Sequence, residues 1–582
     1  MNAIDHPGIS AAITWLAGFE AALTHQDADA AAALFLADGH WRDVLAFTWE
    51  LTTTSGAAGI AAVLQDAIAR TQPRAFRLEP DRSPPRRVTR AGRDCIEVIF
   101  HFDTAFGEGH GVVRLIPDTD GTPRAWTLLT ALGEMAGEGL VETPDYSREF
   151  GGENWLDKRN KARAYTDHDP TVMVIGGGQA GLAIAAHLVQ LGLDTLIIDR
   201  VARVGDNWRK RYHALTLHNE VHVNHLPFMP FPPTWPVFIP KDKLANWFEA
   251  YVEAMELNFW TETELLSGHP TADGWEVTLR RDGVERLMRP KHLIFATGVS
   301  SIPVRPKLPG LEDFAGTVMH SGAYTEGSAW KGRRAMVLGS GNSGHDVAHD
   351  LQASGADVTL IQRSPTYIVS LAEAQRVYAI YTEGLTTEDC DLLATSVPYP
   401  VLCESYRRAT AHSLAVDKPM LDALEARGFR LDHDEGAMGF QMKYLQRGGG
   451  YYFNVGASDL IIEGKIGLLQ YADIDRFVPE GVRLKDGTVA PIDLLVTATG
   501  YKNQQDTVRA YLGDAVADRI GRVWGFDEGG ELRNMWRPTP QPGLWFTAGG
   551  LAQCRIYSKY LAMQIKARVA GLIKDGSACQ ET

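Results

Sequence analysis

Hydrophobic and polar positions divide the chain into blocks of different period. The first 145 residues are Ala-rich with helical spacing up to about Gln65, and then alternate with period two in stretches such as CIEVIFHF and HGVVRLI. Alternation of this kind indicates strands that bury one face. Helices followed by strands predict an α+β domain with its own core over residues 1–145. A polar connector, residues 146–170, ends at Pro170.

From Thr171 the pattern changes to short apolar strands, glycine turns and apolar-periodic helices. The same order restarts at about Arg333. Strands that alternate with helices predict parallel sheets joined by crossover helices. We therefore expect an α/β fold with two Rossmann-like dinucleotide-binding domains behind the α+β domain.

The first glycine turn, VIGGGQAGLA, lies between the strand TVMVI and the helix LAIAAHLVQLG, and the next strand ends in Asp199. In such a unit the glycines allow a tight turn, close approach of a pyrophosphate and close helix packing. A carboxylate at the strand end binds ribose hydroxyls and repels a 2′-phosphate, so we expect an unphosphorylated adenosine ribose here. The predicted cofactor-binding residues are Gly176, Gly178, Gln179, Ala180, Gly181, Asp199 and Arg200.

The second turn, VLGSGNSGHD, has the same spacing, but the position that matches Asp199 falls at 362–364. Arg363 and Ser364 offer a cation and a hydroxyl to a phosphate, which favours NADPH. The alternative for Arg363 is an exposed cation at a strand end. The predicted cofactor-binding residues are Gly339, Ser340, Gly341, Asn342, Ser343, Gly344 and Arg363.

Further motifs surround the two turns. GDNWRKRYHALTLH covers residues 205–218, and FAGTVMHSGAY matches the fingerprint FxGxxxHxxx[YF] through Phe314, Gly316, His320 and Tyr324. With the segments ATGVSS and TATGY, this set resembles the flavin-containing monooxygenases, in their YUCCA-like branch. The resemblance implies an FAD-binding domain at 171–325 that resumes at 491–582, and an NADPH-binding domain with a substrate-side insertion at 326–490.

The same resemblance implies residue roles and a reaction. Asn207 and Trp208 belong to the turn beside the flavin, and either His218 or Asn219 takes the place of the family's asparagine. His320 and Asn342 orient the nicotinamide, although His320 is equally well interpreted as a packed, hydrogen-bonded histidine at a domain hinge. NADPH reduces FAD, the reduced flavin adds O2 at C4a to form a hydroperoxide, and one oxygen passes to a small organic substrate.

The first domain resembles the cone-shaped fold of nuclear-transport-factor-2-like proteins. It contains His40 and Asp43 in GHWRDVLAFTWEL. These two residues could form an acid/base pair in a cavity, but a packed helix-to-strand corner is the favoured interpretation.

Composition excludes several classes of partner. A net charge of −15 argues against nucleic acid, and the Arg-rich stretch from Arg82 to Arg93 is interpreted as a solvated loop. No membrane span, basic signal segment or metal-ligand motif is visible. Five scattered cysteines without a CxxC pair fit a reducing cytoplasm and give no redox disulfide.

Three functions agree with the two dinucleotide sites. The leading hypothesis is an NADPH- and O2-dependent flavin monooxygenase. The alternatives are an NADPH oxidase or flavin reductase that releases hydrogen peroxide, and a redox sensor without turnover. The sequence leaves open the substrate, the type of oxygenation (heteroatom, Baeyer-Villiger or oxidative decarboxylation), the role of the first domain and a homodimeric state.

Overall fold

The computed structural model describes residues 6–141, 150–434 and 436–573. The architecture is mixed α/β, as expected, with separate sheets for the first domain and for each glycine turn. Within the described ranges, none of the helices combines the length and the apolar content that crossing a membrane requires.

The first domain is built on a seven-stranded sheet with the order β2-β1-β7-β6-β5-β3, and β4 pairs with β5. One face packs against α1 and α3 around a phenylalanine-rich core that includes Phe19, Phe76 and Phe100. The elements are α1 His6–Thr24, α2 Ala28–Ala32, β1 Phe35–Val44, β2 Leu51–Ser55, α3 Ala57–Thr71, β3 Arg74–Leu78, β4 Arg86–Arg90, β5 Arg93–Thr104, β6 Gly107–Pro117 and β7 Pro123–Met135.

Two features of this domain differ from the sequence-based expectation. Strands β1 and β2 lie inside the stretch expected to be helical, because they pair with each other and β1 with β7. His40 and Asp43 are three positions apart on β1, and period two places them on opposite faces. His40 bonds Ser55, while buried Asp43 accepts from Thr130 and from the turn that follows. Asp43 is therefore packed and hydrogen-bonded as expected, but at a strand-to-turn corner and not at the expected helix-to-strand corner.

The arginine-rich stretch is not a solvated loop. Arg86 and Arg90 lie on β4 and form ion pairs with Glu97 of β5 and with Glu383 of the second half of the chain. Arg82 binds Asp389 at 2.9 Å. A strand of alternating pattern holds these side chains on one face, so they dock the first domain against the rest of the molecule.

The connector is partly helical, with α4 at Trp155–Ala164 started by a capping box between Asn154 and Asp157. The predicted boundary at residue 145 lies outside the described residues. After α4, the buried Tyr165 donates to Asp194, which anchors the connector on the first Rossmann unit.

The first Rossmann unit contains a parallel sheet of order β12-β9-β8-β16-β27. Its last strand comes from the carboxyl-terminal part of the chain, in line with the expected return. The elements are β8 Val172–Ile175, α5 Gln179–Gln190, β9 Thr195–Ile198, α6 Asp206–Arg209, β10 Thr216–Glu220, β11 Phe238–Pro240, α7 Lys241–Ala254, β12 Asn258–Trp260, β13 Thr263–Thr271, β14 Gly274–Arg281, β15 Val284–Met288 and β16 His292–Phe295.

The second Rossmann unit has a parallel sheet of order β17-β26-β18-β19-β22, and helices α9 to α13 form its insertion. The elements are β17 Thr317–His320, β18 Arg334–Leu338, α8 Asn342–Ala353, β19 Asp357–Gln362, β20 Tyr367–Ser370, α9 Leu371–Gln375, α10 Thr387–Thr395, α11 Tyr399–Val416, α12 Lys418–Ala426, α13 Gly439–Arg447, β21 Tyr451–Asn454, α14 Ala457–Ile462, β22 Gly467–Gln470, β23 Ile474–Val478, β24 Gly481–Leu484, β25 Val489–Pro491 and β26 Leu494–Thr497.

The pairing of β17 and β26 shifts the expected domain boundaries. The sequence-based boundaries placed the crossings of the chain between the two units at 325/326 and 490/491. With those boundaries, β17 and β26 would both belong to the first unit. Both pair inside the second sheet, so the chain crosses before Thr317 and after Thr497. The return to the first unit contains α15 Gln504–Leu512, α16 Asp514–Ile520, β27 Leu544–Phe546 and α17 Leu551–Val569.

Candidate active site

The first glycine turn joins β8 to the amino terminus of α5. Gly176 has a φ of 109°, and a Cβ on Gly181 would lie 1.9 Å from the carbonyl oxygen of Gly176. The turn and the close helix packing therefore both require glycine. Gly178 is the N-cap of α5 and has no side-chain cap, which leaves the helix amino terminus open to a phosphate. Ala180 is buried behind it.

Asp199 and the segment that follows close the other side of this turn. The Asp199 carboxylate accepts from the backbone N–H groups of Gly177, at 2.7 Å, and Val201, at 3.1 Å. These bonds fix the carboxylate at the carboxyl end of β9, where a ribose is bound in such units. Arg200 is exposed beside it.

Buried polar atoms without partners mark the same place. Asn207 Oδ1 and Thr297 Oγ1 have no hydrogen-bond partner among the described residues, and a Cβ on Gly178 would lie 2.7 Å from the Asn207 side chain. Buried polar groups are normally satisfied. Gln179 links the turn to its surroundings by accepting from Trp208 Nε1 and donating to the Gly549 carbonyl. The open amino terminus of α5, the Asp199 carboxylate and the buried polar atoms without partners together fit a dinucleotide such as FAD.

The second turn repeats this geometry between β18 and α8. Gly339 has a φ of 120°, and a Cβ on Gly344 would lie 1.8 Å from the Gly339 carbonyl oxygen. Gly341 caps α8 without a side-chain bond. Ser340 bonds Thr366, Asn342 accepts from Phe453 N–H, and Ser343 is half-buried at the helix start. The site fits a second dinucleotide phosphate.

Backbone hydrogen bonds give the exact alignment of the two units. Gly176 N–H donates to Ile198 and Gly339 N–H donates to Ile361. Gln362, not Arg363, is therefore the counterpart of Asp199, and Arg363 follows it as an exposed side chain. Gln362 has a neutral amide where the first unit has a carboxylate, so this position does not repel a 2′-phosphate. Arg363 lies next to it.

Arg430 is a residue that the sequence did not indicate. Gln362 is buried, accepts from the backbone N–H of Arg430 and donates to its carbonyl, both at 2.8 Å. This holds the exposed Arg430 beside the end of β19, where Arg363 also lies. No motif signals it, because the bond joins segments 68 residues apart.

The fingerprint residues pack within the second Rossmann unit and against the chain where it leaves that unit. A Cβ on Gly316 would lie 2.3 Å from the Phe314 ring, and Tyr324 donates to Asp350 of α8 at 2.5 Å. Both ring nitrogens of His320 contact backbone, with Gly322 N–H at 3.0 Å and the Gly500 carbonyl at 3.2 Å. His320 is thus a hydrogen-bonded hinge residue in this structure, which agrees with the second of its two interpretations.

His218 and Asn219 are adjacent on β10 but face different surroundings. His218 Nε2 lies 3.9 Å from Asp346 of α8. Asn219 lines the large cavity described next and donates to the Tyr378 hydroxyl at 3.2 Å. Burial raises the pKa of Tyr378, so this hydroxyl stays protonated. Of the two candidates, the structure places Asn219 against the cavity.

A cavity of about 570 Å³ lies between the first Rossmann unit, the insertion and the first domain. It begins at Gly550 and Gln553, next to Gly549, whose carbonyl binds Gln179 of the first glycine turn. Eleven of its lining residues are aromatic. The aromatic lining residues are Tyr378, Tyr381, Tyr399, Tyr406, Phe440, Tyr444, Tyr451, Phe453, Phe526, Trp536 and Tyr557.

The first domain supplies part of the cavity wall through Arg42, Leu51, Arg90 and Arg114. The Arg42 guanidinium is buried, binds both oxygens of Glu531, at 2.9 and 2.7 Å, and donates to the Thr395 carbonyl. The pKa of Arg42 is raised: burial opposes the charge, but Glu531 outweighs it. No local pattern indicates this contact, because it joins segments 489 residues apart.

Arg555 of α17 is buried and bonded to several partners. It forms a bidentate pair with Asp391 of α10 and donates to the carbonyls of Val223 and His225. It therefore fastens the insertion to the first Rossmann unit. Of the cysteines, Cys95, Cys390, Cys403 and Cys554 are buried and free, and Cys579 lies outside the described residues.

Comparison with known proteins agrees with this geometry. Residues 173–383 match the family described as pyridine nucleotide-disulphide oxidoreductase. The chain is 29% identical over 350 residues to indole-3-pyruvate monooxygenase YUCCA1 of Oryza sativa subsp. japonica, covering 60% of this chain and 79% of that protein. Identity to the probable indole-3-pyruvate monooxygenase YUCCA4 of Arabidopsis thaliana is 27%, covering 57% and 76%.

The chain is a homologue of the flavin-containing monooxygenases.

Solved structures show the same monooxygenase fold. The crystal structure of cyclohexanone monooxygenase bound to epsilon-caprolactone has a TM-score of 0.51 at 20% identity, covering 69% of this chain and 88% of that one. A cyclohexanone monooxygenase variant from Rhodococcus sp. Phi1 bound to NADP+ has a TM-score of 0.50 at 18% identity, covering 69% and 87%. At this identity the likeness shows the fold alone.

The predicted class, an oxidoreductase of the flavin monooxygenase type that uses FAD and NADPH, is confirmed by these homologues. The individual site residues stay predictions. We continue to expect Gly176–Gly181 and Asp199 to bind FAD, and Gly339–Gly344 with Arg363 to bind NADPH.

Proposed function

We propose that this homologue transfers one oxygen atom of O2 to a small aromatic carboxylic acid at the expense of NADPH, with the other oxygen leaving as water. The observation that carries the proposal is the aromatic cavity of about 570 Å³ that opens from the flavin-side residues Gly550 and Gln553. A volume of this size suits a small ligand, and aromatic side chains favour a flat, apolar body.

A carboxylate in the substrate is suggested by the charges of the cavity wall. Arg42, Arg90 and Arg114 are paired with buried carboxylates. Arg376 is exposed, and its pair with Glu373 is long, at 3.7 Å. We propose Arg376 as the cation that receives the substrate carboxylate, because its existing ion pair is the easiest of these to replace.

The names of two relatives also support an aromatic acid as the substrate. Both plant proteins are described as indole-3-pyruvate monooxygenases, and the acid in that name is aromatic. We therefore propose an aryl-substituted 2-oxo acid as the first substrate to examine. Identity of 27–29% leaves room for a different ring.

When bound, FAD and NADPH supply the reducing electrons and the oxygen activation. The protein's own residues bind, orient and exclude water. Asn219 and Tyr378 form a polar pair on one wall, and the Tyr444 hydroxyl donates to Gln553 on the flavin side. Burial raises the pKa of Tyr444 well above its ordinary value, so it remains a neutral donor. We propose that these pairs fix substrate and cofactor in the cavity.

We also propose a division of the chain. Residues 1–145 form a domain like nuclear transport factor 2, and one mixed sheet with helices on one face supports this proposal. Its role is to close the cavity through Arg42 and Leu51. An FAD-binding domain precedes Thr317 and resumes after Thr497, with the NADPH-binding domain between.

An isotope experiment tests the proposed reaction. Enzyme, NADPH and indole-3-pyruvate are incubated under 18O2, and products are analysed by mass spectrometry. A product heavier by one 18O atom, formed in proportion to NADPH consumed, is the expected result. Hydrogen peroxide equal to the NADPH consumed, with no labelled product from a panel of aryl 2-oxo acids, would sink the proposal in favour of an oxidase.

A variant separates substrate binding from chemistry. Arg376→Ala should raise the substrate KM about tenfold while leaving the NADPH KM unchanged, because a charge-assisted hydrogen bond contributes about 1.5–3 kcal/mol. Arg407→Ala is the control, since Arg407 is an exposed arginine in a similarly long ion pair with Glu404, outside the cavity.

A further inference from the structure

A polar cluster on the first domain is not used by the proposed reaction. His101 of β5 and His110 of β6 are direct partners in the antiparallel register. Glu79 follows β3, whose Arg77 and Leu78 pair with His101 and Phe100. The three side chains therefore come together through strand pairing, although they are far apart in sequence.

The donor atoms of the cluster are spaced like the ligands of one metal ion. Glu79 Oε1 lies 3.2 Å from His101 Nδ1, and Glu79 Oε2 lies 3.3 Å from His110 Nδ1. One ligand atom from each residue can be chosen so that all lie within 4.8 Å of one another. Ligands about 2.0–2.1 Å from a tetrahedral ion are themselves about 3.3 Å apart.

The orientation of His110 favours ligation over hydrogen bonding. Its Nδ1 is buried and has no hydrogen-bond partner, although the carboxylate of Glu79 is 3.3 Å away. An unprotonated imidazole nitrogen carries a lone pair, and one without a hydrogen-bond partner can give it to a metal ion. Buried polar atoms of this kind call for an occupant.

His101 also has the outer support that metal ligands show. Its Nε2 lies 2.9 Å from Asp103 Oδ1. A carboxylate bound to the far nitrogen fixes the ring orientation and leaves Nδ1 as the coordinating atom. His101 is nearly fully buried, with 4% of its side chain exposed, so the ring cannot turn away.

Two cations lie near the cluster. Arg82 Nε contacts Glu79 Oε2 at 3.3 Å, and its other nitrogen binds Asp389 at 2.9 Å. Lys559 is close enough to His110 to contribute to its electrostatic environment. Arg82 occupies one oxygen of Glu79 and leaves Oε1 available, so Glu79 can bind an ion through a single oxygen.

We propose that Glu79, His101 and His110 form a binding site for a divalent transition-metal ion such as Zn²⁺, completed by water. Two imidazoles and one carboxylate suit this class of ion. The ion would tie the segment after β3 to the sheet. That segment carries Arg82 and Ser83, which both bind Asp389 of α10, so the site stiffens the contact between the first domain and the insertion.

Zinc binding to the full-length, untagged holoenzyme tests this site. The protein is treated with a chelator, equilibrated with Zn²⁺ by dialysis and analysed for metal by mass spectrometry, and its Tm is measured with and without Zn²⁺. One Zn²⁺ per chain and a higher Tm are expected. Glu79→Gln and His110→Ala should lose both effects, and Asp103→Asn should weaken binding about 10–100-fold.

The control is His433→Ala, because His433 forms an exposed pair with Glu425 at 3.0 Å without a third ligand. It should bind like the unaltered protein. The proposal is overturned if the unaltered protein lacks stoichiometric Zn²⁺. It is also overturned if Glu79→Gln and Asp103→Asn bind Zn²⁺ as well as the unaltered protein does. The Tm without metal and the bound flavin show that each variant is folded, so a loss of zinc in a folded variant is specific.

Discussion

At the scale of single residues, we expect selectivity between the two nucleotides to depend on one strand-end position in each Rossmann unit. Asp199 is held by two backbone N–H groups at the position where we expect a ribose. Its counterpart Gln362 is neutral and turns its amide to the backbone of Arg430. The side chain at that position therefore does not compete with a 2′-phosphate for the cations Arg363 and Arg430.

Replacing Arg363 tests this view of NADPH recognition. Arg363→Ala should raise the KM for NADPH about tenfold or more and change the KM for NADH little, because only the phosphate loses a charge-assisted bond. Steady-state oxidation of both nucleotides measures the two constants.

Arg333→Ala is the matched control, since Arg333 is exposed just before β18, at the opposite end of the same sheet. Equal effects of Arg363→Ala on NADPH and NADH would place the phosphate contact elsewhere.

At the scale of elements, the strand–turn–helix unit depends on the missing side chain of Gly181. A methyl group there would lie 1.9 Å from the Gly176 carbonyl oxygen, so α5 has to move away from β8. Gly181→Ala should lower the free energy of unfolding by about 1–3 kcal/mol and reduce the FAD content. Flavin absorbance per chain and the Tm measure both effects.

The control is Gly449→Ala, where a new Cβ meets nothing within 4 Å and φ lies outside the left-handed region. Full FAD content in folded Gly181→Ala would contradict the assignment of this turn.

The pairing of β4, β5 and β6 collects three arginines around one carboxylate. Burial alone would raise the pKa of Glu97, but the guanidiniums of Arg114, Arg90 and Arg86 outweigh it and lower the pKa to about 2. The ordinary value is 4.5. The folded protein thus binds fewer protons on Glu97 between these values, so this stabilisation is complete above pH 4.5 and falls as the pH falls toward 2.

Glu97→Gln should remove the Glu97 part of this acid dependence, up to about 1.4 kcal/mol per pH unit. It should also cost about 3–5 kcal/mol at pH 7, because it leaves buried guanidiniums without their partner. Denaturant unfolding between pH 3 and 7 measures both. Glu285→Gln, an exposed residue in a 4.0 Å pair, should change neither, and an unaltered slope in Glu97→Gln would refute the assignment.

At the scale of the whole molecule, the first domain forms part of the wall of the cavity of about 570 Å³. Arg42 crosses from β1 to Glu531, and their side chains are only 8% and 9% exposed. Arg82 and Arg90 add contacts to Asp389 and Glu383. Since Arg42 also lines the cavity, displacement of this domain would admit water to the site.

Arg42→Ala should therefore lower the free energy of unfolding by about 3–5 kcal/mol and divert NADPH consumption from oxygenated product to hydrogen peroxide. Thermal unfolding and the ratio of product to peroxide are the measurements. Arg93→Ala is the control, because its pair with Asp38 is exposed and stays within the first domain. If Arg42→Ala is destabilised but its ratio of product to peroxide is unchanged, the Arg42–Glu531 contact contributes to stability alone.

Local patterns predicted the Rossmann units well, because their turns depend on glycines close in sequence, such as Gly176 and Gly181. The crossing points were misplaced, since β17 and β26 pair with strands far away along the chain. The arginines of β4 were misinterpreted for the same reason: their partner Glu383 is nearly 300 residues away.

The sequence by itself determined the two glycine turns and the fingerprint that matches the monooxygenase class, and it predicted the ribose chemistry at Asp199 and Arg363. Each depends on short-range spacing that one strand and one helix impose. Only the tertiary structure decided that Asn219 rather than His218 faces the cavity, that Arg42 lines it, and that Glu79, His101 and His110 meet. These arrangements depend on strand register and domain docking, which no local spacing records.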